Sequence, residues 1–174
     1  TSLREYVKIN RNGKYALRLK IHGDSLVNVR SGTNDSDIVM ISSTGQASRF
    51  ACSEITATSR NTAGVWGIFT GDRETSSRKG DGGHVVGMVV ADNYETQILT
   101  ITVNGMGKRT IIGSGERDGY RRTSPGAKGV RTMDLYEGDS VVSVNQIPDV
   151  NDQLFILTGS GMMIRIGAIQ TKET

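Results

Sequence analysis

A short phrase recurs three times along this chain of 174 residues. In each copy an apolar strand runs into a glycine turn, and the strand that follows carries an arginine four residues after the glycine. The three pairs are Gly45 with Arg49, Gly105 with Arg109, and Gly161 with Arg165. A period of about sixty residues that contains strands rather than helices is typical of stacked β units such as propeller blades, because each unit needs neighbours to cover its apolar face.

Each copy of the phrase predicts a β-hairpin. Its first strand is nearly continuous in apolar residues (38–41, 98–101 and 154–157), as in strands that are covered on both faces. The turn glycine supplies the positive φ that a tight hairpin requires. Helical periodicity is almost absent, and the chain has 22 glycines but two prolines. The sequence therefore predicts an all-β fold, a propeller-like array of about three four-stranded blades.

Two further repeated segments suggest where the units divide. Gly64 and Gly67 recur 62 residues later as Gly126 and Gly129, and a Gly-Asp-Ser sequence opens predicted closing strands at 23–29 and 138–144; a third closing strand is predicted at 85–90. Residues 1–174 are thus predicted to form one partial propeller-like domain. Its parts are residues 1–35, which end one blade and enter the next, the blades 36–92 and 93–148, and the incomplete blade 149–174. The polar stretch at 70–83 is expected to be a mobile surface excursion.

Several classes of function lack the residues that they need. Cys52 is the only cysteine, and His22 and His84 are the only histidines, so a disulfide framework, a Cys/His zinc site and a nucleophilic triad all have too few members. We expect no catalytic residue, no metal and no cofactor. No apolar run approaches about 18 residues and no secretory leader is recognisable, so we expect no membrane partner and a cytoplasmic location.

Positive charge is concentrated in one segment, residues 108–131. The segment contains seven cations but only two carboxylates, Glu116 and Asp118. Its glycines let the protein backbone approach a phosphate closely. We therefore predict a polyanion-binding surface, with the alternative of a solvated rim that keeps sheet edges from pairing. The predicted contacts are Lys108, Arg109, Arg121, Arg122, Lys128 and Arg131, with Arg49, Arg60 and Arg165 from the other units.

The predicted polyanion is the backbone of duplex DNA. Phe50, Trp66, Phe69 and Tyr120 form no aromatic row on which bases could stack, and no helix is predicted that could enter the major groove. Neutralising about six phosphates would give a log–log slope of affinity against salt of roughly −5. Bending a site of about 20–30 bp by roughly 40–90° would cost about 1–6 kcal/mol, which contacts on several blades could offset.

Two motifs resemble the C-terminal domain of the DNA gyrase A subunit. LTITVNGMGKRT at 99–110 is similar to that family's LTVTENGYGKRT, and GAKGV at 126–130 is similar to its GGKGV. The segments at 59–68 and 85–90 match the style and order of the later blades. The resemblance runs through nearly the whole chain, and it implies part of a six-bladed β-pinwheel. The family's heptapeptide QRRGGKG is absent. The segment that aligns with it, residues 123–129, is called the box-like loop, and it matches the heptapeptide only at Gly126, Lys128 and Gly129.

The resemblance implies binding, bending and wrapping of duplex DNA without sequence specificity, in support of supercoiling by a type IIA topoisomerase. The chain would be a non-catalytic, nucleoid-associated domain of an ATP-hydrolysing DNA topoisomerase, with the catalytic tyrosine outside it. Its partners would be double-stranded DNA, the gyrase B subunit, and the rest of the gyrase A subunit. Two alternatives stay open, the C-terminal domain of topoisomerase IV and a propeller-like scaffold for protein interactions.

Overall fold

The computed structural model describes residues 2–8, 11–13, 15–17, 19, 22–59, 62, 64–70, 82–116 and 118–171. These residues form nine strands and three 3₁₀ turns, with no α-helix among them, so the predicted all-β fold is confirmed. The strands are β1 (Asp37–Ser42), β2 (Gln46–Ala51), β3 (Val85–Ala91), β4 (Gln97–Thr102), β5 (Gly107–Ile111), β6 (Val130–Arg131), β7 (Val141–Ile147), β8 (Gln153–Leu157) and β9 (Met163–Gly167). The 3₁₀ turns are Leu3–Tyr6, Cys52–Glu54 and Ala168–Gln170.

Three antiparallel hairpins, β1–β2, β4–β5 and β8–β9, correspond to the three copies of the repeated phrase. Their turn glycines Gly45, Gly105 and Gly161 have φ values of 75°, 85° and 86°, which residues with a Cβ rarely adopt. The hairpin prediction is therefore confirmed for each copy.

The hairpins extend into sheets of unequal size. In the described part of the chain the first sheet has the order β3-β1-β2-β6, the second β5-β4-β7 and the third β8-β9. Strand β6 belongs to the following unit, because its residues lie within 93–148. It nevertheless pairs with β2, with Val130 opposite Ala47 and Arg131 opposite Gln46. Successive units thus share a sheet, so the sequence segments 36–92 and 93–148 do not each correspond to one sheet.

The main core lies between the first and second sheets, where β3 packs on β7. The approach is so close that a Cβ at Gly87 would lie 3.1 Å from the Cβ of Val144. Burying a large aliphatic side chain contributes about 1.5–3 kcal/mol, so this cluster holds the two sheets together. Its buried members are Val39, Ile41, Ala47, Val89, Ala91, Ile98, Ile112, Tyr120, Val141 and Val144.

The segment at 23–29 does not form the closing strand that its Gly-Asp-Ser opening predicts. It has no regular secondary structure and is mostly exposed, and no described strand lies beside it to pair with its backbone. A strand persists only where neighbouring backbone groups take its N–H and C=O bonds, and the corresponding β3 and β7 have such neighbours in β1 and β4. The predicted excursion at 70–83 falls mainly on residues 71–81, which lie outside the described residues.

Candidate nucleic-acid interface

The box-like loop lies along the outer edge of the first sheet, beside β2. Thr123 N donates to Arg49 O at 2.6 Å, and the chain then returns at Val130 to pair with Ala47. Gly129 allows this return, because its φ is 84° and a Cβ there would collide with the Ala47 carbonyl. A loop of one unit is therefore attached to the rim of the preceding blade.

Arg121, just before the box-like loop, and Lys128, within it, are exposed. Among the residues that the structure describes, neither has a carboxylate within ion-pair distance. Their charges are consequently available to an external anion. Both residues are among the predicted contacts.

Arg122 and Arg131 are also exposed, but each shares its charge with a carboxylate. Arg131 Nη1 lies 2.8 Å from Asp134 Oδ1, and both side chains are mostly in solvent. Such a surface pair contributes about 0–1 kcal/mol, so a phosphate could replace Asp134 at small cost. Arg122 Nη2 lies 2.9 Å from Oδ1 of the buried Asp37. Arg49 pairs with the same carboxylate, so Asp37 is shared between two arginines.

Arg49 lies in the interior, so its prediction as a DNA contact is corrected. Its side chain is 0% exposed, and Nη2 and Nε lie 2.6 and 2.8 Å from Asp37 Oδ2. Nη1 lies within 3.0 Å of the carbonyl oxygens of Ile112, Gly113 and Tyr120. A phosphate outside the protein cannot reach a guanidinium whose partners are all internal.

Arg109 occupies the same place in the second hairpin, and its predicted contact is corrected for the same reason. It is 3% exposed, and Nη1 donates to Gln97 Oε1 at 3.1 Å. Lys108 is half-buried, and Nζ donates to Thr132 O at 2.7 Å. An ammonium has three donors, so Lys108 stays a predicted contact.

The two remaining predicted cations lie away from the box-like loop in sequence. Arg165 is exposed on β9, with its guanidinium carbon 5.6 Å from the centroid of the Phe155 ring, and it stays a predicted contact. Arg60 lies outside the described residues. Neither position adds a described cation to the edge of the first sheet.

Asp37 is absent from the predicted site residues, although it organises the arginines around it. Each arginine of the repeat lies 12 residues after a polar residue that opens the hairpin, namely Asp37, Gln97 or Gln153. Each of these lies opposite the residue two positions beyond its arginine, so the two side chains are diagonal neighbours on one face. This recurrent spacing is the sequence signal that could have identified Asp37.

The glycine-rich turn before Arg121 is occupied with its own hydrogen bonds. Gly113 N donates to Tyr94 O, and Gly115 N donates to Asp118 O at 3.0 Å. Asp118 Oδ1 accepts from Ser114 Oγ at 2.7 Å and from Ser114 N at 3.0 Å, and these bonds hold the pKa of that carboxyl below its ordinary value. These backbone donors therefore serve the turn itself, and any anion must be held by the neighbouring side chains.

The described residues contain no group of three or more His, Cys, Asp or Glu side chains placed to hold a metal ion. Within the same residues, no helix has the length and apolarity that crossing a bilayer requires.

A groove of about 740 Å³ lies between β7 and β8, and Leu99, Ile147 and Leu154 are among its lining residues.

The family described as "DNA gyrase C-terminal domain, beta-propeller" has a profile that matches residues 36–92 and 96–148. The DNA gyrase A protein of Staphylococcus epidermidis (strain ATCC 12228) is 34% identical to the chain over 168 residues. Its counterpart in Staphylococcus aureus (strain MRSA252) is 33% identical over the same length. Each alignment covers 95% of this chain and 17% of the relative, so the chain spans about a sixth of these curated proteins.

Solved structures share the architecture. The C-terminal domain of DNA topoisomerase IV aligns with a TM-score of 0.79 at 17% identity, over 98% of this chain and 49% of that domain. The DNA gyrase A C-terminal domain aligns with a TM-score of 0.62 at 22% identity, over 82% of this chain and 41% of that one. At these identities the likeness establishes the fold.

Proposed function

The chain belongs to the family of DNA gyrase C-terminal domains, and we propose on that basis that it binds duplex DNA without sequence specificity along the outer edge of its blades. One observation carries the proposal: the box-like loop holds Lys128 exposed at the rim, with Arg121 and Arg122 just before it and Arg131 just after it. Basic side chains that bind phosphates fix a duplex in position without reading its sequence.

The proposal extends to the role of the bound DNA. The duplex bends and wraps around the blades, and this supports supercoiling by a type IIA topoisomerase. The chain itself does not cleave DNA or hydrolyse ATP; it acts within a gyrase A subunit that assembles with gyrase B on the nucleoid, in the cytoplasm. Support comes from the curated relatives, which are DNA gyrase A proteins.

The burial of two arginines changes the expected strength of the electrostatic term. Arg49 and Arg109 are inside, whereas Arg121, Arg122, Lys128 and Arg131 are exposed around the box-like loop. Phosphate contacts by these four cations would contribute about −3.6 to the log–log salt slope, and Lys108 and Arg165 would each add about −0.9 where they also bind.

The decisive measurement is the affinity for a duplex of arbitrary sequence and about 40 bp, by fluorescence anisotropy between roughly 50 and 200 mM salt. The unmodified chain should bind with a log–log salt slope of about −3.6 or steeper. A double variant, Arg121→Gln with Lys128→Gln, should bind more weakly, with a slope reduced in magnitude by about 1.8. The proposal would be overturned if the affinity did not depend on the salt concentration, or if the double substitution left the affinity unchanged.

Two single variants serve as controls. Arg30→Gln removes an exposed arginine outside the box-like loop, and it should leave the affinity nearly unchanged. Asp134→Asn removes the carboxylate that pairs with Arg131, so it should strengthen binding. If Arg30→Gln weakens binding as much as Arg121→Gln does, net charge rather than the box-like loop is responsible.

The C-terminal domain of topoisomerase IV remains the second candidate. The specific observation in its favour is the TM-score of 0.79 over 98% of this chain. The handedness of DNA wrapping separates the two candidates, and it is measured from the topology of circles that are ligated in the presence of the protein.

A further inference from the structure

Two apolar side chains lie exposed beside the box-like loop. Val65 is 63% exposed and Trp66 is 52% exposed, whereas Phe50, Phe69 and Tyr120 are buried. Trp66 is thus the one of these four aromatic residues that is exposed.

The backbone on both sides of Trp66 is held against the box-like loop. Gly126 N donates to Gly67 O at 3.0 Å, and Phe69 N donates to Ala127 O at 2.9 Å. A Cβ at Gly67 would also meet the end of the Met40 side chain, so Gly67 lies close to β1. Trp66 therefore precedes an anchored residue, and its position relative to the box-like loop is set by main-chain bonds.

In the sequence repeat, Trp66 and Lys128 occupy equivalent positions. Gly64 and Gly67 correspond to Gly126 and Gly129, and the residue before the second glycine is Trp66 in one unit and Lys128 in the next. Two hydrogen-bonded loops at one edge consequently present an apolar group and a cation. The phosphates of a duplex bind cations, and its minor groove can accept apolar side chains.

We propose that Trp66, together with Val65, is an apolar wedge that enters the minor groove of the duplex whose phosphates Arg121 and Lys128 bind. The inference rests on the proposed function and adds a bending residue to it. Apolar wedges inserted from the minor groove partly unstack a base step and bend the duplex. Every base has a π face, so a tryptophan wedge also suits binding without sequence specificity. The wedge would localise the bend that is proposed for the bound duplex.

The unmodified chain supplies a direct test, because Trp66 is its only tryptophan. Titration with a duplex of about 40 bp should quench its emission and shield it from acrylamide, with the same saturation point as the anisotropy signal. Unchanged emission and unchanged acrylamide access at saturating duplex would overturn the wedge and leave phosphate binding standing. A chain that binds no duplex at low salt would overturn both proposals.

Substitutions separate the wedge from the cations. Trp66→Ala should weaken binding about tenfold and reduce the bend measured by end-to-end energy transfer, while the salt slope stays the same because an apolar contact releases no counterions. Trp66→Phe should retain most of the affinity. Lys128→Gln should instead reduce the slope in magnitude by about 0.9. Wild-type affinity and bend in Trp66→Ala, with its fold confirmed by circular dichroism, would overturn the wedge.

Discussion

Arg49 shows that one residue type at a repeated position can serve the fold instead of a ligand. A guanidinium offers five N–H donors in a rigid fork, and inside a protein they must all be satisfied. Asp37 and three carbonyl oxygens of the segment 112–120 surround Arg49. The side chain thereby joins the first hairpin to the turn before Arg121. It sets the position of that turn relative to β2.

Arg49→Met should lower the free energy of unfolding by at least about 1–3 kcal/mol, because three internal carbonyl oxygens lose their donor while Asp37 keeps Arg122 as a partner. Urea denaturation measures the effect. The matched control is Arg121→Met, an exposed position where the change should stay within about 0.5 kcal/mol. Equal stability of the two variants would contradict the structural role assigned to Arg49.

At the scale of elements, the attachment of β6 to β2 decides where the box-like loop lies. The attachment is short, with Val130 and Arg131 as its only strand residues. It depends on Gly129, whose left-handed backbone and lack of a Cβ let the chain pass close to the Ala47 carbonyl. A single methyl group added at Gly129 would therefore disturb the pairing of β6 with β2.

Gly129→Ala should destabilise the protein more than Gly138→Ala does. Both glycines have positive φ, 84° and 77°, so each substitution should cost about 1–2 kcal/mol for the left-handed backbone. At Gly129 the new Cβ also meets a backbone oxygen, which should add about 1–3 kcal/mol, whereas Gly138 has open space around it. Urea denaturation of both variants checks this, and equal losses would contradict a close approach of β6 to β2.

At the scale of the whole molecule, the sheets formed by the described residues decrease from four strands to two along the chain. The first sheet is covered by the second, whereas β8 and β9 carry exposed apolar side chains such as Phe155, Leu157 and Ile164. A two-stranded hairpin is marginally stable by itself, because few contacts offset the entropy of ordering it. Stability should therefore decline from the first sheet to the third.

Hydrogen exchange of the 174-residue chain tests this gradient. Backbone amides of β9 should exchange at least about tenfold faster than those of β1, because local opening of the third sheet breaks fewer contacts. Mass spectrometry of peptides that cover the two strands provides the comparison. Equal protection would mean that the third sheet is covered in solution.

Local patterns predicted much of the fold. Apolar runs and turn glycines identified all three hairpins, and β3 was expected at 85–90. The segment 23–29 was predicted wrongly, since its pattern resembles that of 138–144 but no described strand lies beside it. Of the candidate site, Arg121 and Lys128 are exposed as a binding role requires, while Arg49 and Arg109 look the same in sequence and are buried.

The repeat, the hairpins and the concentration of cations at 108–131 follow from the amino-acid sequence alone, because alternation and the φ of glycine act over a few residues. Which cations face solvent, and which blade carries the box-like loop, depend on tertiary structure. Those outcomes need contacts across long separations: Arg122 meets Asp37 from 85 residues away, and β6 joins a sheet of the preceding unit. No local pattern contains such contacts, since the energy of burying or exposing a charge is set by neighbours that the fold brings together.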